Sequence, residues 1–352
     1  MKGAGRLSIC CVFFVFIAAS AACNASLAAQ LHAGDLIVLD PHNQQLPGNG
    51  VIIAINPTTG AQTLIAATTM LEQSAGIAMD PAGNIVVSDY GYSGQGGVFR
   101  VDPATGTQSL VSTGDFLSHP TGVAVDSAGN IIVVQHGANQ TTGAALRIDP
   151  ASGNQTVVSL VQALAVPDGL TIDANGDYLV ANFQGGSGGS AIVRVDAGTG
   201  AQSVVSAGGD LLLGPSDVWV NNLQGDSLLV THSSFPFTNG RLIEVNTVTG
   251  DQTVISAGGY LAHPTGVTQD AFGNVFVADF GGGSPKILRI DPLTGQQTII
   301  STGGYLSSPV DILVYAPEPG SFALLATAAA IALVCRVKRR LSRRFASDCA
   351  TG

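Results

Sequence analysis

Residues 120–159 read PTGVAVDSAGNIIVVQHGANQTTGAALRIDPASGNQTVVS. Four short β-rich runs stand out in this stretch: GVAVD, NIIVV, ALRID and QTVVS, here called A to D. β-branched residues dominate them and turn residues bound each one, the pattern of short strands. Runs A and B join through Asp-x-x-Gly-Asn, and runs C and D through Asp-Pro-x-x-Gly or a close variant. Both joins carry the Gly and Asn or Asp that tight hairpins need. The unit recurs along the chain. Its C–D glycine returns as Gly60, Gly106, Gly153, Gly200, Gly250 and Gly295, at spacings of 46, 47, 47, 50 and 45. A four-stranded unit of this length is a β-propeller blade, and six of them fill residues 30–316. A seven-bladed WD-type ring is excluded because neither the WD nor the GH signature recurs.

The strand count predicts how the ring closes. Five units are complete, with A strands near Ile77, Val123, Leu170, Val218 and Val267. The N-terminal unit has only B (35–40), C (51–56) and D (62–66), and the C-terminal unit has only A (310–315). These fragments are expected to share one blade, giving an all-β, six-bladed propeller whose termini are fastened together. Runs such as IIVV do not alternate, as expected of strands buried on both faces.

Charge is unevenly placed. Residues 30–316 hold 22 of the 24 acidic residues but only 6 of the 14 basic ones, a net charge of −16. A body this acidic repels phosphate backbones, which argues against nucleic-acid binding. The same body contains no cysteine, so disulfides are excluded from it.

Both ends read as targeting segments. Residues 1–28 form a secretory signal: Lys2 and Arg6, an apolar run over Ile9–Ala19, then small residues up to Ala28. At the other end, Pro317-Glu318-Pro319 precedes the apolar run Ser321–Cys335 and the basic cluster RVKRRLSRR, with 345–352 as a short cytoplasmic tail. The apolar run spans about 22 Å as a helix, and its flanking Arg336 and Lys338 can snorkel to extend it. The basic cluster should remain cytoplasmic. This order over 317–344 resembles a PEP-CTERM sorting signal. The resemblance implies export in a bacterium that makes exopolysaccharide, membrane anchoring through the C-terminal helix, and an exosortase-type processing enzyme as partner. The protein is accordingly expected in the cell envelope or outside the cell.

The repeats over 35–315 resemble NHL-type six-bladed propellers, an architecture that hosts binding proteins, lactonases and lyases alike. In a propeller the ends of the B strands converge at the top face. Six residues after each A–B turn glycine stand Asp40, Asp89, Gln135, Asn182, Thr231 and Asp279, all polar. The next positions include Tyr90, His136, Phe183, His232 and Phe280. Polar groups beside rings suit a sugar, a polysaccharide or another small polar ligand. The same positions equally suit strand caps with rings packed between blades.

Pro167-Asp168-Gly169 resembles the P-D-G turn of gluconolactonase-type and senescence-marker-type propellers. That resemblance implies a divalent cation such as calcium, with Asp168 as a ligand. The corresponding turns elsewhere depart from it: PTG at 120–122 and 264–266, PSD at 215–217, PVD at 309–311 and SAG at 74–76. Asp217 and Asp311 are offset by one residue, which in a regular strand points them to the opposite face. The family's P-N-G turn and Glu partner are missing. Gly185–Gly189 fits G-x-S-x-G only in letters, since a nucleophile elbow needs a strand–turn–helix and this is a loop between strands. Asp173–Asp177 resembles a calcium-loop fragment but occupies an A–B hairpin. No catalytic residue set and no cofactor is established by the sequence. The first reading is an exported binding or scaffold propeller without catalysis, associated with the surface or an exopolysaccharide matrix. The second is a metal-dependent lactonase, hydrolase or lyase working at the top face.

Overall fold

The computed structural model describes residues 31–316, apart from short loop stretches at 44–45, 47–49, 69–70, 72, 92–95, 138–141, 161–162, 186–188, 210–213 and 234–238. The expectations for 1–28 and 317–352 lie outside the described residues.

The first blade holds β1 (Leu36–Asp40), β2 (Gly50–Ile55) and β3 (Gln62–Thr68). The second holds β4 (Ser74–Met79), β5 (Ile85–Asp89), β6 (Gly97–Val101) and β7 (Gln108–Thr113). The third holds β8 (Pro120–Val125), β9 (Ile131–Gln135), β10 (Ala144–Ile148) and β11 (Gln155–Leu160). The fourth holds β12 (Pro167–Ile172), β13 (Tyr178–Gly185), β14 (Gly189–Val195) and β15 (Gln202–Ala207). The fifth holds β16 (Pro215–Val220), β17 (Ser227–His232), β18 (Arg241–Asn246) and β19 (Gln252–Ala257). The sixth holds β20 (Pro264–Gln269), β21 (Val275–Asp279), β22 (Lys286–Ile290) and β23 (Gln297–Thr302). The last strand, β24 (Asp311–Val314), pairs antiparallel with β1 and completes the first blade in the order β24-β1-β2-β3. The shared blade expected from the strand count is therefore present, and β1 has no open edge.

Each B strand sits between A and C and is covered on both faces by neighbouring blades. β1, β5, β9 and β21 are buried at every residue, which is why their sequences do not alternate. The core is a set of apolar seams between blades. One such seam packs Ile37, Leu39 and Ile52 of the first blade against Ile77, Ile85 and Val87 of the second. The D strands face solvent, and β7, β15, β19 and β23 share the same half-exposed pattern.

The C–D glycine serves two purposes. It takes φ near +70°, as at Gly153 (φ +73°) and Gly295 (φ +69°), a conformation that side chains rarely adopt. Its α-carbon also abuts the previous blade, where a Cβ on Gly153 would collide with the Val111 carbonyl. The glycine carbonyl then accepts a hydrogen bond from a serine of that blade. Ser112 Oγ donates to Gly153 O at 2.7 Å, and Gln155 Nε2 donates to Ser112 Oγ at 3.0 Å. The same Gln–Ser–Gly bond closes the rim with Ser159, Ser206, Ser256 and Ser301. The seam between the first and second blades differs. Ala66 stands where the others have serine, and Gln108 Oε1 is buried without a partner among the described residues.

Candidate functional site

The A strands line the central channel, and each begins with a Pro-led turn except β4, which begins with Ser74. A β-bulge follows the first residue of each of the five A strands β4, β8, β12, β16 and β20. The bulge places an extra residue opposite the B strand and changes the parity of the residues after it. The second and third residues of the turn therefore both reach the channel. Ser216 and Asp217 line it side by side, as do Val310 and Asp311. The opposite-face placement expected for Asp217 and Asp311 is thus corrected: both line the channel, and for Asp217 the reason is that a regular two-residue period does not survive the bulge.

Second-position hydroxyls tie one blade to the next. Thr121 Oγ1 donates to Pro167 O at 2.6 Å, Ser216 Oγ to Pro264 O at 2.8 Å, and Thr265 Oγ1 to Pro309 O at 2.8 Å. Three positions break this ring, where Ala75, Asp168 and Val310 replace the hydroxyl residue. Third-position carboxylates make a second set of ties. Asp217 Oδ2 accepts from Val267 N–H of the sixth blade and Oδ1 from Val218 N–H, both at 2.8 Å. Asp311 Oδ2 accepts from Ile77 N–H of the second blade at 2.8 Å and Oδ1 from Ile312 N–H at 2.7 Å. Removal from bulk water raises Asp217 well above the ordinary carboxylate range, and repulsion from Asp311 adds to this against its two amide bonds. The same desolvation pushes Asp311 up to about 7.

Asp217 and Asp311 divide the channel, lining a cavity on either side. The larger, of about 520 Å³, is walled by Val123, Leu170, Val218 and other A-strand residues. The other, of about 360 Å³, opens at the turn end, and its wall includes Ser74, Tyr90 and Asp168. Here His136 Nε2 lies 3.1 Å from Asp168 Oδ1, and 33 % of the Asp168 side chain stays exposed. Desolvation raises the Asp168 carboxyl, opposed by the His136 bond. Tyr90 sits between two imidazoles, with ring centroids 4.4 Å from His119 and 5.7 Å from His136.

Of the ring of residues expected at the top face, Tyr90 lines this cavity and His136 reaches it through Asp168. The polar members stand behind it and hold the D–A loops. Asp40 Oδ2 accepts from Ser307 and Ser308 N–H at 2.6 and 2.7 Å. Asp89 Oδ2 accepts from Gln73 N–H at 3.1 Å, and Gln135 Oε1 from Ser118 N–H at 2.9 Å. Asn182 Oδ1 accepts from Ala165 and Val166 N–H, both at 3.0 Å. Asp279 Oδ2 accepts from Ala262 and His263 N–H at 2.9 and 3.1 Å. Thr231 Oγ1 lies 3.2 Å from Ser216 Oγ. All six are buried. Phe183 and Phe280 are exposed, the latter edge-on to His263. His232 is buried with neither ring nitrogen partnered among the described residues, and desolvation lowers its pKa so that it stays neutral. Sequence reasoning missed Ser74, whose only signal is the loss of proline at a position where the other five turns keep it.

The arrangement does not fit a divalent cation of the gluconolactonase type. Among the described residues no three His, Cys, Asp or Glu side chains are placed to hold one metal ion together. Both oxygens of Asp217 and of Asp311 hold backbone amides, and Asp168 has His136 as its partner.

Solved structures share the fold at low identity. A chain of the nidogen/laminin complex superposes with a TM-score of 0.64 at 14 % identity, over 81 % of this chain and 99 % of that one. TolB from Acinetobacter baumannii gives 0.61 at 12 %, over 80 % of this chain and 66 % of that one. The periplasmic gluconolactonase PpgL of Pseudomonas aeruginosa gives 0.53 at 14 %, over 80 % and 99 %. No curated protein sequence matches. A family model, the SMP-30/Gluconolactonase/LRE-like region, matches residues 23–206, just over half of the chain, and with the six-bladed ring around its channel this places the chain in that family.

Proposed function

We propose that the protein is an exported, non-catalytic binding propeller of the cell envelope, taking a small polar ligand in the cavity at the turn end of its channel. The observation that carries this reading is the Asp168 carboxyl, hydrogen-bonded to His136 and open to a cavity of about 360 Å³, within the range of small-molecule sites. The surrounding hydroxyls and carboxylates hold blades together, so the cavity is a rigid cradle. The secretory signal and the PEP-CTERM-like segment support delivery to the envelope, processing by an exosortase-type enzyme and association with an exopolysaccharide matrix.

A metal-dependent lactonase is the second reading, favoured by family membership and by the P-D-G turn at Asp168. The purified protein, incubated with gluconolactone and Ca²⁺, Mg²⁺, Mn²⁺ or Zn²⁺ while acid release is followed, separates the two. Binding of small polar compounds by calorimetry with no metal-dependent turnover is the expected result. Turnover that needs the metal and is lost in Asp168→Ala would replace the binding reading with the enzymatic one.

A further inference from the structure

We propose that the turn-end cavity selects a small organic cation, a ligand with an ammonium or guanidinium head. The inference rests on the binding reading above and names the chemistry of its ligand. Three carboxylates from three different blades, Asp168, Asp217 and Asp311, face this cavity, and no Lys or Arg among the described residues lines it. The independent observation is Ser74. The residue is only 3 % exposed, its Oγ has no partner among the described residues, and it lines the cavity where every other turn has proline. A buried hydroxyl without a partner costs on the order of 1–3 kcal/mol, and a ligand donor placed against it removes that cost.

Asp168 adds an acceptor. Its Oδ1 meets His136, while its Oδ2 meets no donor among the described residues. A ligand whose N–H groups reach Ser74 Oγ and Asp168 Oδ2 from within this cavity satisfies both, and charge-assisted hydrogen bonds of the second kind are the stronger class. The Tyr90 ring on the same wall offers an aromatic surface that favours cations, and Val310 and Ala75 supply apolar contact for a short carbon skeleton. A bare metal ion is disfavoured because Asp217 and Asp311 already hold two amides each. An anion is disfavoured by a body of net charge −16.

Glucosamine, glucose and glucuronate share one ring and differ in charge, so calorimetry of the full chain in detergent with each, and with CaCl₂, tests the inference. Glucosamine should bind at least about tenfold more tightly than glucose, and glucuronate should not bind, since one charge-assisted bond is worth roughly that factor. Asp168→Asn and Ser74→Ala should each weaken glucosamine by several-fold, with unchanged melting curves showing that the fold is intact. Agmatine and putrescine serve as acyclic probes with the same expected preference. Equal binding of glucose and glucosamine overturns the cation inference and leaves the binding reading standing. Calcium that binds alone and displaces the amines overturns it in favour of a metal site. Absence of binding by every amine overturns the cation inference, and absence of binding by the neutral sugar as well brings down the binding reading with it.

Discussion

The rim and the axis of this propeller are built from the same repeat but treat it differently. At the rim, Gln–Ser–Gly bonds recur at five of the six seams with nearly the same geometry, Ser Oγ to Gly O ranging from 2.7 to 2.9 Å. At the axis, the corresponding turn residues diverge from blade to blade: Thr121, Ser216 and Thr265 keep a bridging hydroxyl, while Ala75, Asp168 and Val310 do not. Where a residue's task is to join blades, every blade imposes the same demand. A ligand on the axis touches each blade differently, so departures from the repeat mark the places to look for binding.

The largest expected effect comes from breaking the ring. Deleting 309–316 removes β24, the Asp311 tie to Ile77 and the cover over β1. The truncated chain should melt at least roughly 10 °C lower and aggregate through the exposed β1 edge. A truncated chain that melts like the parent would deny that the shared blade holds the ring shut.

The two regions should also respond oppositely to pH. At the rim, Asp149, Asp196 and Asp291 accept turn amides and have lowered pKa values. Their contribution is present above the unfolded value near 4 and is lost as pH falls through their folded values. At the axis, Asp217 and Asp311 are raised, Asp311 to about 7. The folded state binds protons there that the unfolded state has released, so stability declines as pH rises from about 4 to about 7. Melting temperature should therefore fall between pH 5 and pH 7. The double variant Asp217→Asn, Asp311→Asn should flatten that slope, and an unchanged slope would assign it to other groups.

A smaller effect sharpens the comparison within the rim itself. Ser112→Ala removes a rim bond and should cost about 1 kcal/mol. Ala66→Ser supplies the hydroxyl missing beside Gln108 and should stabilise by about 0.5–1 kcal/mol. Equilibrium denaturation reads both. If the serine at 66 destabilises, the first seam has a different geometry from the other five.

The fold was legible because its determinants are periodic. The spacing of Gly60 through Gly295 counts the blades, and the missing A strand before residue 35 matches the lone strand at Asp311–Val314. The site was less legible, for two physical reasons. The entry bulge inserts a residue at the start of five A strands, so alternation cannot assign Asp217 to a face. Five of the six polar B-strand ends, Asp40, Asp89, Gln135, Asn182 and Asp279, are alike because the D–A loops beside them present amides that need an acceptor. Asp168 was visible through its turn. Ser74 was not, because a serine in a loop-to-strand junction is ordinary until burial leaves its hydroxyl without a partner among the described residues.

The claim that axis departures serve binding and rim repeats serve folding meets its most direct test in Asp168→Ala, with melting and ligand calorimetry measured on the same preparation. Asp168 bears a desolvation cost that offsets its bond to His136. Its loss should therefore move the melting temperature by no more than about 2 °C while abolishing binding of glucosamine or any other small polar ligand the parent retains. A variant that melts far below the parent, or one that binds as the parent does, would contradict the account.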